Sequence, residues 1–405
     1  MTQATTTALE KEPRIVKTNI KRPARLRVLG SRAAFLALSL LFATAAGVSC
    51  ATPVKDAKID YLTAPFSSER ILDWGNRPDW SNDGRRIAFT KDDLSDGPAY
   101  EIDIETKKVR CLTCALGKNQ FVTRIFYLPD DSFLIEASPG MAGSGGGSTN
   151  VMKTELFWMS KSLDRAVPLG VGAMGDIAIA PSANADKSVD IAWARPKASG
   201  LQLVVGKLKI DGAATKLGDI RELYAYQPGQ AGDPTFPEAY EFIDGGRAVM
   251  FWTVEVNALN GEMYKVDRQS GAVSKVYATL SHNETHLFPN EKYGLEESNL
   301  SSDPTGPYRG VSGLVPQGVE MILQTKGVQN AQQLARANSD KGFDIFVITM
   351  DGAARRALTN VSPSGAQAHQ SVVSPDGKKI AYAIKGPKTG VSQYPVGLYV
   401  GKFGK

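Results

Sequence analysis

The chain has 405 residues, 22% of them charged and 42% apolar, with 39 glycines and 22 prolines. These are globular values that exclude a wholly disordered chain, and the wealth of turn formers suits an all-β fold. The net charge of +5 sits at one end: residues 1–50 carry +6, leaving −1 on the rest, so no basic stripe remains for nucleic acid.

In chain order, the first element is a leader. Lys11, Arg14, Lys17, Lys21, Arg22, Arg25, Arg27 and Arg32 precede an uncharged apolar run, Ala33 to Val48, and then the small residues Ser49, Cys50 and Ala51. That order is a secretory signal, and the run falls short of the roughly 20 residues of a membrane span. The expected division is a signal peptide over 1–50 and one domain over 51–405, placed in the periplasm or outside the cell. Two forms of membrane attachment stay open: lipidation of Cys50, or a leader retained as an anchor.

The domain is written in repeats. Trp80-Ser81-Asn82-Asp83-Gly84-Arg85-Arg86-Ile87-Ala88-Phe89 recurs as Val373-Ser374-Pro375-Asp376-Gly377-Lys378-Lys379-Ile380-Ala381-Tyr382. Each is a strand, a polar Asp-Gly turn read as a two-residue hairpin loop, and a strand of alternating polarity. Weaker copies centre on Asp130, Asn184, Gly245 and Asn290. A second hairpin follows the copies, as in Tyr100–Leu112 and Phe343–Leu358. Four strands per unit, with successive turn positions mostly 45 to 61 residues apart, read as propeller blades. The expectation is an all-β single β-propeller of six four-stranded blades, with seven as the alternative count.

The last unit shows three strands, near 370–374, 379–385 and 397–403. The segment Lys58–Leu72 has no other partner, so the N-terminal strand is expected to close the ring and remove two exposed edges. Residues 138–150, with Gly145-Gly146-Gly147, read as a loop. Residues 300–342 read as an insertion within blade five, with a short helix between Gln317 and Asn338. Cys111 and Cys114 form an even pair once Cys50 is set aside, and in an oxidising compartment such a pair is read as a disulfide.

The Ser-Pro-Asp-Gly-Lys-Lys-Ile-Ala-Tyr unit resembles the blade repeat of TolB-like, WD-type propellers. So does the stretch Phe343 to Gly352 followed by Arg356-Ala357-Leu358-Thr359. The resemblance covers most of residues 60–405 and implies the fold. It implies little about function, because such folds serve many activities. The N-terminal domain of TolB itself has no room between the leader and the first strand.

No Gly-x-Ser-x-Gly elbow and no phosphate-binding glycine motif occurs. The three histidines supply the one suggestive constellation. His282, Glu284 and His286 alternate, so they can share a strand face, and His369 opens an inner strand. Imidazole and carboxylate are good ligands for a divalent metal, the one cofactor the sequence admits. Equally, such histidines cap blades through ordinary hydrogen bonds. Arg77, Asp79, Glu238, His282, Glu284, Gln367 and His369 are candidates to converge at one mouth of the central channel, with Arg309 reaching over it. Glu296 and Glu297 point to opposite faces and read as a solvated strand end. The leading function is an exported, monomeric binding module. Its mouth would hold an envelope protein, a peptide, or a small polar or saccharide ligand. The alternatives are a metal-assisted polysaccharide lyase or hydrolase using His282 and His369, and a purely structural envelope protein.

Overall fold

The computed structural model describes residues 59–91, 97–116, 121–138, 154–197, 200–225, 235–255, 260–277, 286–298, 342–387 and 395–404. All lie in the unit Ala51–Lys405. The leader with Cys50, the Gly145–Gly147 loop, the 317–338 helix, His282, Glu284 and Arg309 fall outside the described residues.

The described chain is all β, a propeller of antiparallel sheets. It opens with β1 (Phe66–Leu72), followed by β2 (Asn76–Trp80), β3 (Arg86–Thr90), β4 (Ala99–Asp103) and β5 (Val109–Cys111). Then come β6 (Val122–Tyr127), β7 (Phe133–Ala137), β8 (Thr154–Met159), β9 (Ala166–Ile179), β10 (Ser188–Lys197), β11 (Gly200–Lys209) and β12 (Lys216–Ala225). The rest are β13 (Thr235–Ile243), β14 (Ala248–Glu255), β15 (Asn260–Asp267), β16 (Val273–Tyr277), β17 (Tyr293–Ser298), β18 (Asp344–Thr349), β19 (Arg355–Ala357), β20 (Gln367–Val373), β21 (Lys379–Lys385) and β22 (Gly397–Phe403).

The sheets differ from six separate units of four. Among the described residues, β2–β5, β13–β16 and β1-β22-β21-β20 are four-stranded, β17–β19 is three-stranded, and β6–β12 form one seven-stranded sheet. The long strand β9 is the cause. Its first half, Ala166–Ala173, pairs with β8, and its second half, Met174–Ile179, pairs with β10.

The repeated sequence produces repeated hydrogen bonds. Ser81 Oγ donates to Asp83 Oδ1 at 2.6 Å, and the Arg85 N–H donates to the same oxygen at 3.0 Å. Ser374 Oγ and the Lys378 N–H do the same to Asp376 Oδ1 at 2.7 and 3.0 Å. The loop is longer than a two-residue turn. The closing bond runs from the Ser81 N–H to the Arg86 carbonyl, and only Gly84 takes a positive φ, 64°. The glycine supplies the left-handed residue, while aspartate bonds its own backbone two residues on.

The core is spread between neighbouring sheets. Leu134, Leu156 and Trp158 meet Ile191, Trp193 and Val204; Ala192 and Leu203 meet Val249 and Phe251. Ile345 and Val347 meet Ile380 and Tyr382, and Ile87 and Phe89 meet Ala381, Leu398 and Val400. That last cluster joins the first sheet to the last. The ring is closed as the sequence implied: β1 pairs antiparallel with β22, from Phe66 opposite Phe403 to Leu72 opposite Leu398. Ahead of β1, Tyr61 is 1% exposed, stacks on Phe288 at 3.8 Å and meets Phe403 edge-on at 5.0 Å. Arg356 donates to the carbonyls of Tyr61 and Ala64. The N-terminal segment therefore spans two sheets.

Candidate functional site

Charge buried among apolar strands marks the site. Arg124 sits in β6 between Thr123 and Ile125, and is 4% exposed. Its Nε donates to Asp176 Oδ1 at 2.5 Å and its Nη2 to Asp176 Oδ2 at 3.3 Å, a two-point grip across to β9. The same Nη2 lies 3.8 Å from Glu238 Oε1 on β13. The Asp176 N–H donates to Glu238 Oε1 at 2.8 Å, and the Tyr240 hydroxyl to Glu238 Oε2 at 3.0 Å. Gly175 makes this approach possible: its φ is +81°, and a side chain there would collide with the Glu238 carboxylate.

Glu136 on β7 completes the set and is 2% exposed. Burial pushes its carboxyl up to about 7; Asp176 and Glu238 add to the rise, and Thr154 and Arg124 oppose it. The geometry agrees. Thr154 Oγ1 lies 2.6 Å from both Glu136 Oε1 and the Ala173 carbonyl oxygen, and one hydroxyl proton cannot serve both acceptors. A proton on Glu136 Oε1, donated to Thr154, frees the Thr154 hydroxyl to donate to the Ala173 carbonyl. Glu238 is raised too, first by burial and then by the Asp176 charge.

A second set is more open. His286 Nδ1 lies 3.0 Å from Glu241 Oε1, with side chains 15% and 29% exposed. The register of β13 shifts between Ala239 and Glu241, a bulge of the kind that re-aims side chains. Asp79 on β2 accepts the Tyr127 N–H at 2.7 Å. Burial raises the Asp79 carboxyl to about 7 and Glu241 adds to the rise, while the Tyr127 N–H and His286 hold it down. Asp79 thus senses groups from the opposite side of the chain's strand order. The Tyr240 ring stands edge-on to His286 at 5.5 Å, so this one residue touches both sets. Together they offer carboxyl acceptors, a phenol and an imidazole.

The sequence candidates are distributed as follows. Glu238 is in the buried network and Asp79 in the open set. His286 pairs with Glu241, not with a metal-type cluster; no group of three such ligands occurs among the described residues. Arg77 and His369 are buried on β2 and β20, and Gln367 begins β20. Their strands share a feature: register breaks between Asn76 and Asp79 and between His369 and Val372, with positive φ at Arg77 (51°) and Gln370 (58°). The reading of Glu296 and Glu297 as a solvated strand end is overturned, since both are 0% exposed. They do face opposite ways. Glu296 accepts Arg355 Nε at 2.8 Å, and Glu297 accepts the Ser371 N–H at 2.9 Å.

The residues not foreseen are Arg124, Glu136, Asp176, Tyr240 and Glu241. A signal existed for two of them: Val122-Thr123-Arg124-Ile125-Phe126 and Phe133-Leu134-Ile135-Glu136-Ala137 each place one charge inside an apolar strand. The Cys111–Cys114 disulfide is present, with Cα atoms 5.7 Å apart.

No family model and no curated protein matches this chain. Among solved structures, it is similar to a chain described as TolB from Agrobacterium tumefaciens, at 11% identity and TM-score 0.47, over 84% of this chain and 98% of that one. It is similar to the calcium-binding protein regucalcin from the same organism, at 10% and 0.47, over 84% and 94%. It is also similar to an oligogalacturonate lyase in complex with manganese, at 9% and 0.45, over 82% and 78%. At these identities the likeness is one of fold, to TolB and other β-propellers.

Proposed function

We propose that this chain is an exported propeller whose channel wall binds a polar ligand. The observation that carries the reading is the convergence of Arg124, Asp176, Glu238, Tyr240, Glu241 and His286 from β6, β9, β13 and the segment before β17. Buried ionisable groups cost stability unless paired, and such a concentration is what a functional site requires. The accessible part, Glu241 and His286 with the Asp79 carboxyl buried behind them, is rich in acceptors. It suits a ligand that presents hydroxyl or ammonium donors: a saccharide, or a peptide or envelope protein offering an amine. Six blades are the count we favour, with β9 serving as the outer strand of the second and the inner strand of the third. Residues 1–50 act as the export signal, and attachment through Cys50 or the leader remains part of this proposal. Arg77, Gln367 and His369, with Arg309, His282 and Glu284, belong to the wider mouth in the same proposal.

Calorimetric titration of the purified protein against neutral oligosaccharides and short amine-bearing peptides tests it. One class should bind, and Glu241→Gln should weaken that binding on the order of tenfold, as loss of a charged hydrogen bond does. Unchanged affinity in both Glu241→Gln and His286→Ala would overturn the assignment. A metal-assisted lyase or hydrolase is the second reading, supported by the orientation Glu241 imposes on His286. Metal content of the purified protein, with and without His286→Ala, decides it.

A further inference from the structure

The Cys111–Cys114 pair lies apart from the channel residues, at the end of the outer strand β5. The turn that carries it is held without it. Leu112 between the cysteines is 1% exposed and belongs to the apolar cluster joining the first sheet to β6–β8, and its N–H donates to the Ala99 carbonyl at 2.8 Å. Thr113 is fully buried, and its hydroxyl accepts the Ala99 N–H at 3.0 Å. The Leu116 N–H closes the following short helical turn on the Thr113 carbonyl at 2.9 Å. A disulfide spanning only three residues removes little entropy from the unfolded chain. Here it stabilises little that these contacts do not already hold.

The two sulfurs are not equivalent. Cys114 is exposed and Cys111 partly buried. The Cys114 N–H points at Cys111 Sγ at 3.1 Å, and the Ala99 carbonyl oxygen lies 3.6 Å from the same sulfur. A Cys111 thiolate would find a donor in place, and once protonated it would find an acceptor. The reduced state is thus prepared in the same geometry. Hydrogen bonding that favours the thiolate makes a sulfur a better leaving group.

We propose that Cys111–Cys114 is a thiol–disulfide exchange site for an external dithiol. A partner thiolate attacks Cys114 Sγ; the S–S bond breaks and its electron pair goes to Cys111. The partner's second thiolate then attacks its own sulfur in the mixed disulfide and releases Cys114. The partner is oxidised to a disulfide, and this pair is reduced to two thiols. The proposal does not rest on the channel reading.

The test uses the folded protein with dithiothreitol as the dithiol, far below the melting temperature, with quenching by an alkylating agent and peptide mapping of residues 111 and 114. The pair should open at a rate proportional to dithiol concentration, and the reduced protein should melt within a few degrees of the oxidised one. A monothiol used in place of the dithiol should be trapped in a mixed disulfide at Cys114, the exposed cysteine, rather than at Cys111. Opening at a fixed rate regardless of dithiol concentration would show that reduction needs unfolding, and would overturn the proposal. So would a mixed disulfide trapped equally at both cysteines.

Discussion

Two seams of the ring are built from opposite chemistry. Between β17–β19 and the sheet of β20–β22, Phe288, Leu295, Ile345 and Val347 pack on Ile380, Tyr382 and Tyr399, and Tyr61 lies over the joint. Between β13–β16 and the segment leading into β17, polar side chains meet. His286 meets Glu241 and Tyr240, and the Asp244 N–H donates to Glu291 Oε2 at 3.0 Å. Apolar burial is non-directional and seals; a charged pair holds only in one geometry and one protonation state. The first seam is therefore where the ring gains stability, and the second is where the proposed ligand site lies.

Removing the seal is the largest way to break this contrast. Deleting residues 59–72 takes away both β1 and Tyr61, leaving β22 with a bare edge. The expected outcome is loss of a single cooperative thermal transition by circular dichroism. A deletion that melts like the full chain would mean the ring does not depend on its clasp. Tyr61→Ala is the milder version. Truncating a fully buried aromatic costs about 3–5 kcal/mol, which chemical denaturation can read. At the polar seam, His286→Ala should cost less than about 1 kcal/mol, in the range of a partly exposed pair, yet it should abolish most ligand affinity. A loss equal to that of Tyr61→Ala would erase the distinction between the seams.

The sequence carried the periodic part of this account well. Alternating strands, Asp-Gly loops and an unpaired N-terminal segment are local patterns, and all three reappear in the strand pairing. Sheet boundaries were less legible. One fourteen-residue strand, β9, joins two repeats, and nothing local at Ala173-Met174 says that its partner changes. The buried network was legible least, because Arg124, Asp176 and Glu238 are separated by 52 and 62 residues and meet only when the ring forms. Bulges hide it further. The shift at Ala239–Glu241 breaks the two-residue alternation on which face assignment depends. Histidine scarcity drew attention to His286, which pairs with Glu241, for a metal set that the described residues do not assemble.

Burial raises the carboxyls of Asp79, Glu136 and Glu238 in the folded chain, and Glu136 tests this most directly. Its carboxyl is raised in the folded protein from 4.5 to about 7. The folded state therefore binds a proton that the unfolded state has released. The stabilisation is complete below pH about 4.5 and is lost as pH rises to about 7, at up to about 1.4 kcal/mol per pH unit for one such group. The measurement is stability by denaturant unfolding of the wild type and Glu136→Gln across pH 4.5 to 8. The wild type should lose stability through this window, and Glu136→Gln, which keeps a neutral side chain at every pH, should show a shallower slope. Parallel curves for the two proteins would show that Glu136 is already ionised in the folded chain, and would contradict the account.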